Sequence, residues 1–429
     1  MKETRKPHLE SITPLTDFEL YCMLASVMLI TGSPLDKLPR LYWLAIRLVG
    51  YGVPLLILLR HLIPNYRKLP ALIRDTLYQY RQTLLLPLGL LLLGEMIGAL
   101  RGPSILYSLW QTASLLFVML LSFTFYGAAL PDPQYQVRRF LRILSKLAMV
   151  ILALSLPVYL GNVLGWWVIN PYIMYTGQML LNGPFYHANV FGYVLMLAAL
   201  ASLFLALDTK KTWDWGWMAA AGFLLFGLLL SFARGAILGA GVGILGILYN
   251  RSRKLATALA IPAVLGGVVL ALAGAGVIHG LEFLPKLTLS GRETVWEAGW
   301  NNLKLYGPLG IGAGQAESLP NLSTHNLFME QYGEGGVLTL IGFLAWVILP
   351  VTRIRQSRLD RTLAWGITAM MAAELVHGLF WVEFMNGLRY QTLAYAFLWT
   401  AMAGSRFLSM DRTKSEREDA QDQPGNELP

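Results

Sequence analysis

Twelve apolar stretches, most of them near the length of a bilayer crossing, constrain this chain more than any other feature. They run at approximately 17–31, 41–60, 83–100, 106–130, 142–163, 187–207, 213–232, 234–249, 255–278, 334–351, 362–380 and 387–405. A helix needs about 20 apolar residues to cross the hydrocarbon core. With 55% of 429 residues apolar, the stock suffices for about twelve crossings. Only 14% of residues are charged, against about 25% in soluble domains, which excludes an ordinary cytosolic enzyme. No low-complexity region is present to support disorder. The expected fold is therefore all-α: a polytopic integral membrane protein of about 12 transmembrane helices. The first stretch opens on Asp17 and Glu19, an awkward start for a spanning segment. It does not read as a signal peptide, because its basic residues lie far upstream and eleven more stretches follow. Cys22 stands alone, so no intramolecular disulfide or Cys-based metal site is possible.

The net charge of +9 would suggest a nucleic-acid partner in a soluble protein. In a membrane protein it is first a topological signal, because cytoplasmic loops collect Lys and Arg. With the N-terminus inside and strict alternation, 25 of the 34 Lys and Arg fall on the cytoplasmic side. The outer side receives Lys37, Arg40, Arg47, Arg101, Arg234, Lys286, Arg292, Lys304 and Arg389. A missed or surplus helix would scramble this sorting, so both termini are expected inside, with no nucleic-acid partner. The chain then divides into helices 1–9 (1–278), an outer loop between helices 9 and 10 (279–333), helices 10–12 (334–410) and a disordered tail (411–429). The loop is expected to be helical around 292–304, where Trp296 and Trp300 share a face. A Gly-rich turn at 307–314 follows. A second outer segment, 164–186, lacks charge and carries Trp166, Trp167, Tyr172 and Tyr175, the profile of an interfacial segment.

Ionisable residues at membrane depth are costly and are functional candidates by default. Arg234 lies at the outer junction of segments 7 and 8, at a helix N-terminus. Free backbone N–H groups and a guanidinium there make an anion site suited to phosphate oxygens; snorkelling to lipid headgroups is the alternative. Arg292 opens the loop helix, where pairing with Glu293 or Glu297 would be the structural reading. Arg47, ~9 Å inside the outer end of segment 2 at ~1.5 Å per residue, either snorkels or lines a cavity, and Arg389 near the outer end of segment 12 is similar. His325 precedes segment 10 on the same outer side, where a neutral imidazole could take a proton from a hydroxyl. Glu330 and Glu334 are near enough in sequence to orient it. His187, followed by Asn189, opens segment 6 and is a second candidate. His8, His61, His279 and His377 have positions that favour structural roles.

Two patterns carry no chemistry. The Gly241–Gly246 run fits a dinucleotide fingerprint on paper, but it sits inside an apolar helix with no preceding strand. Gly235, Gly239 and Gly243, four apart, instead predict close helix packing. No outer loop holds an Asp-x-Asp pair and no His-Glu-x-x-His occurs, so no metal site and no cofactor are expected.

Four motifs occur in one order: Ser231-x-x-Arg234-Gly235-x-x-Leu238; Gly291-Arg292-x-x-x-Trp296; Pro308-Leu309-Gly310-x-Gly312; and His325-Asn326, nine residues, Gly336, two residues, Thr339. Together they resemble the O-antigen ligase and O-antigen polymerase superfamily of bacterial envelope glycosyltransferases, the ligases most of all. The specific motifs span about 231–339, and the rest matches as a twelve-helix frame. The resemblance implies a metal-independent, inverting glycosyltransferase of the inner membrane with a partly helical periplasmic loop and a periplasmic site. Its donor would be a glycan on undecaprenyl pyrophosphate and its acceptor a sugar hydroxyl of lipid A-core, with membrane lipid around it. His325 would be the base, Arg234 and Arg292 would bind pyrophosphate, and Asn326 belongs to the ligase pattern. A polymerase extending repeat units on the same carrier is the close alternative. A transporter of lipid-linked glycan is a more distant one, for which Glu95 and Glu374 are the acids at suitable depth.

Overall fold

The computed structural model describes residues 12–32, 40–127, 130–167, 169, 172–173, 179–185, 187–208, 213–274, 292–315, 325–381, 385 and 387–404. The tail expected to be disordered (411–429) lies outside the described residues, as do parts of both outer segments.

Each of the twelve apolar stretches coincides with a helix: α1 (Asp17–Gly32), α2 (Arg40–Leu62), α4 (Leu86–Ala99), α5 (Ile105–Tyr126), α6 (Pro133–Val163), α7 (Ala188–Leu207), α8 (Trp215–Ser231), α9 (Arg234–Arg251), α10 (Arg253–Gly274), α12 (Leu327–Thr352), α13 (Arg361–Gly378) and α14 (Tyr390–Ala403). Two helices lie between them, α3 (Leu69–Tyr80) and α11 (Arg292–Tyr306). One π turn, Arg81–Leu85, carries α3 into α4. A two-residue antiparallel ribbon, β1 (Tyr172–Ile173) with β2 (Met179–Leu180), is what the interfacial segment forms where it is described. The chain is a helical polytopic membrane protein. Among the described residues six helical stretches are long and apolar enough to cross a membrane: Leu44–Leu62, Tyr66–Ala99, Ile105–Tyr126, Pro133–Val163, Ala188–Leu207 and Leu327–Thr352.

Burial sorts these helices. α7 and α14 are apolar on every side and almost wholly buried, as a helix without a polar face must be. Around them α2, α5, α6, α8 and α9 turn large apolar side chains outward, among them Leu56, Leu106, Leu154, Phe226 and Leu238. Such a belt of exposed apolar surface marks contact with lipid. The four-spaced glycines of α9 pack as expected. A Cβ on Gly239 would lie 2.5 Å from Ala373 O on α13, so the two backbones touch where no larger residue fits.

The acids at the start of α1 have a structural explanation. The Thr16 Oγ1 accepts from Glu19 N (3.2 Å), while Glu19 Oε2 accepts from Thr16 N (2.8 Å), a reciprocal capping box. Arg60 and His61 at the end of α2 reach the other Glu19 oxygen at 3.0 and 3.2 Å, and Asp17 pairs with Arg139 of α6. Arg138 bridges Asp208, after α7, to Asp360, before α13, at 2.7 Å from the latter. The ends of α1, α2, α6, α7 and α13 that alternation assigns to one side are thus fastened together by ion pairs.

One boundary needs correction. α12 begins at Leu327, two turns before the apolar run at 334, because Asn326 Oδ1 caps it by accepting from Phe328 N (3.0 Å) and Met329 N (3.2 Å). The apolar run starts instead at a break inside the helix, where Gly335 and Gly336 leave helical geometry.

Candidate functional site

The opposite end of the bundle from the ion pairs gathers most of the residues singled out from sequence. α8 stops at Ser231, whose Oγ donates to Leu228 O (2.7 Å) and accepts from Ala233 N (3.3 Å). Phe232 takes a left-handed turn (φ 50°), and α9 starts at Arg234. Its N-cap residue, Ala233, makes no side-chain cap bond, and the first-turn N–H groups of α9 add their dipole to the guanidinium. The next residue fixes where this end sits. A Cβ on Gly235 would lie 3.0 Å from Phe380 Cβ and 3.4 Å from His377 Cδ2, so the first turn of α9 rests on the last turn of α13.

Phe380 and Trp381 organise the rest. The Trp381 indole stacks on the His325 imidazole (centroids 5.2 Å, planes 20° apart) and contacts the His187 ring at 4.5 Å. Trp296 of α11 lies 6.3 Å from Phe380. Arg292 is one turn upstream of Trp296 as the first residue of α11; its side chain lies outside what the structure describes. Trp300, expected to share the Trp296 face, is exposed.

His325 has φ +46°, an uncommon conformation that His tolerates better than most residues and that marks a constrained position. Asn326, besides capping α12, donates from Nδ2 to Leu379 O (3.4 Å) and so ties the His325 junction to the end of α13. His187 caps α7: its Nδ1 accepts from Asn189 N at 3.0 Å. Accepting that bond requires a lone pair on Nδ1, which places the proton of the neutral ring on Nε2.

The glutamates divide. Glu330 is buried in the first turn of α12. Glu334, expected to help orient His325, serves the Gly-rich turn, its Oε1 accepting from Gly314 N (2.6 Å). Ile311 N to Gly333 O (2.9 Å) and Gly312 N to Glu334 O (2.6 Å) complete the dock. The close approach depends on Gly336, at φ 68° and ψ −154°, where a Cβ would fall 1.9 Å from Pro308 O. Thr339, one turn on, donates to Leu91 O on α4 at 3.0 Å. The spacing from His325 to Thr339 is therefore the distance from the stacked imidazole through the break to the α4 contact.

Arg47 and Arg389 gather elsewhere at this end. Arg47 lies within electrostatic reach of Tyr51, Tyr107 and Arg389. Tyr107 receives a hydrogen bond from Gln111 Nε2 (2.9 Å) and abuts Gly314, so it stands between Arg47 and the Gly-rich turn. Glu95 has a partner, the Thr112 hydroxyl at 2.9 Å.

The comparison with known families bears on the same residues. Residues 219–344 match the O-antigen ligase family model. The match, a domain-sized span from α8 through most of α12, is consistent with the ligase and polymerase superfamily. That span contains the Ser231–Gly235 corner, α11, the Gly-rich turn, the His325–Asn326 junction and Thr339. His187, Phe380, Trp381, Arg47 and Arg389 are contributed from outside the matched span. No curated protein matches the chain.

Phe380 and Trp381 carried no sequence signal. An aromatic pair at the outer end of an apolar segment looks like any interfacial belt. His377, which its depth marks as structural, lies 3.9 Å from Glu374 and against the Tyr193 ring, directly under the α9 corner.

Proposed function

We propose that the chain is an O-antigen ligase, transferring a glycan from undecaprenyl pyrophosphate to a hydroxyl of lipid A-core. The observation that carries this reading is the convergence, within and beside the matched ligase span, of His325 and the Arg234 helix start on one aromatic pair. The site end of the bundle faces the periplasm and the ion-paired end faces the cytoplasm, with both termini cytoplasmic.

A nitrogen of the His325 imidazole takes the proton of the acceptor hydroxyl. The freed oxygen pair attacks the anomeric carbon from the face opposite the bond to the carrier, so the configuration inverts. That C–O bond breaks and its electron pair leaves on the pyrophosphate. The leaving group needs charge stabilisation, not a proton, and Arg234, Arg292 and the α9 N–H groups supply it. No metal or cofactor takes part in this scheme. Asn326 and Gly336 hold the His325 junction, with Asn189 setting the His187 tautomer.

Deleting the gene tests the reading: loss of a ligase leaves lipid-linked polymer accumulating beside bare core. Core decorated with single repeat units would instead assign the chain to the polymerases. Arg234→Ala should lower kcat/KM for the lipid-linked donor by roughly 10- to 100-fold, the worth of a charge-assisted pair. Arg234→Lys should recover only part, since an ammonium cannot fork onto two phosphate oxygens. Wild-type donor kinetics in the Ala variant would remove Arg234 from the site.

A further inference from the structure

The ring contacts around Trp381 reach beyond the residues the transfer scheme uses. Trp381 follows the last turn of α13 and meets both imidazoles of this end, His325 nearly parallel at 5.2 Å and His187 tilted at 4.5 Å. Its indole N–H is buried, with no acceptor among the described residues. Indole nitrogens normally find a partner when buried. Trp381 is therefore placed by its ring faces and not by its polar handle.

From this geometry we infer that Trp381 is a positioning residue for the transfer, holding the His325 imidazole in orientation and carrying the imidazolium charge on its π face. The inference rests on His325 being the base. Taking the acceptor proton turns a neutral ring into a cation, and an indole face is the best aromatic partner for a cation. The neighbouring imidazole does not compete for that charge, because protonating His187 on Nδ1 would break its cap to Asn189 N. Two imidazoles on one indole thus have different duties, one fixed neutral as a helix cap and one able to charge. The other ionisable groups at this end of the converging elements include Tyr193 on α7, Arg234 on α9, Arg292, Glu293 and Glu297 on α11, Glu330, Tyr332 and Glu334 on α12, and Glu374 and His377 on α13.

The test uses the full-length enzyme with purified donor and acceptor, measuring kcat, both KM values and the pH–rate profile. Trp381→Leu should lower kcat about ten-fold with both KM values within two-fold of wild type. Its acid limb should move down by about half a pH unit, since without the indole the imidazolium is less stable and the base stays neutral to lower pH. Trp381→Phe, which keeps a π face and gives up no hydrogen bond, should restore most of kcat and about half of the shift. A wild-type rate and unshifted limb in the Leu variant would overturn the inference. If Leu does not give folded protein, the Phe variant is read alone, and an unshifted limb overturns it. Retained transfer by a His325 variant would instead remove the base assignment, so the two failures are distinguishable.

Discussion

His325→Asn should cut transfer by roughly 10²–10⁴-fold, the usual worth of a positioned general base, while the protein still folds and binds donor. Asn is the informative replacement because of the backbone. His325 has φ +46°, and Asn is among the few residues enriched there, so the loss cannot be assigned to strain. The Asn326 cap on Phe328 N and Met329 N is left intact, so α12 keeps its start. The readout is single-turnover transfer with purified donor, beside donor affinity and thermal midpoint. An Asn variant transferring at the wild-type rate would end the base assignment.

Gly336→Ala should be as damaging by a different route. The residue sits at φ 68° and ψ −154°, a region essentially reserved for glycine. A Cβ would also fall 1.9 Å from Pro308 O, a backbone atom that moves only if the turn lifts off α12. Lifting the turn breaks the bonds of Ile311 N, Gly312 N and Gly314 N to Gly333 and Glu334. Backbone strain and lost hydrogen bonds together amount to about 3–5 kcal/mol. The expected result is a thermal midpoint lower by several degrees and transfer reduced more than 100-fold. Val337→Ala, one residue on and exposed, should leave the midpoint nearly unchanged. Equal midpoints for the two variants would contradict the docking of the turn on the break.

The parts of the site that were legible from sequence are those whose chemistry is local. Arg234 was visible because a charge at the end of an apolar run is costly, and the structure places it at a helix start. His325, Gly336 and Thr339 were visible as a spacing, but the spacing alone said nothing of its cause. The cause is a left-handed His, a glycine-only break and a hydroxyl bonded to α4. For Glu334, proximity to His325 in sequence does not report direction: its Oε1 accepts from Gly314 N in the Gly-rich turn. Arg47, Arg389 and His187 were left undivided by sequence. The structure puts the first two within electrostatic reach of each other and the third against Trp381.

Sequence alone determined that this chain is a helical membrane protein. Apolar length and the sorting of basic residues are properties of the chain read one segment at a time, because the bilayer imposes them on each crossing separately. Only the tertiary structure decided that Phe380 and Trp381, just beyond α13, are the surface on which α9, α11 and the two histidines meet. Ring stacking between residues far apart in sequence has no period and no motif. It exists only once packing has fixed which helix ends are neighbours.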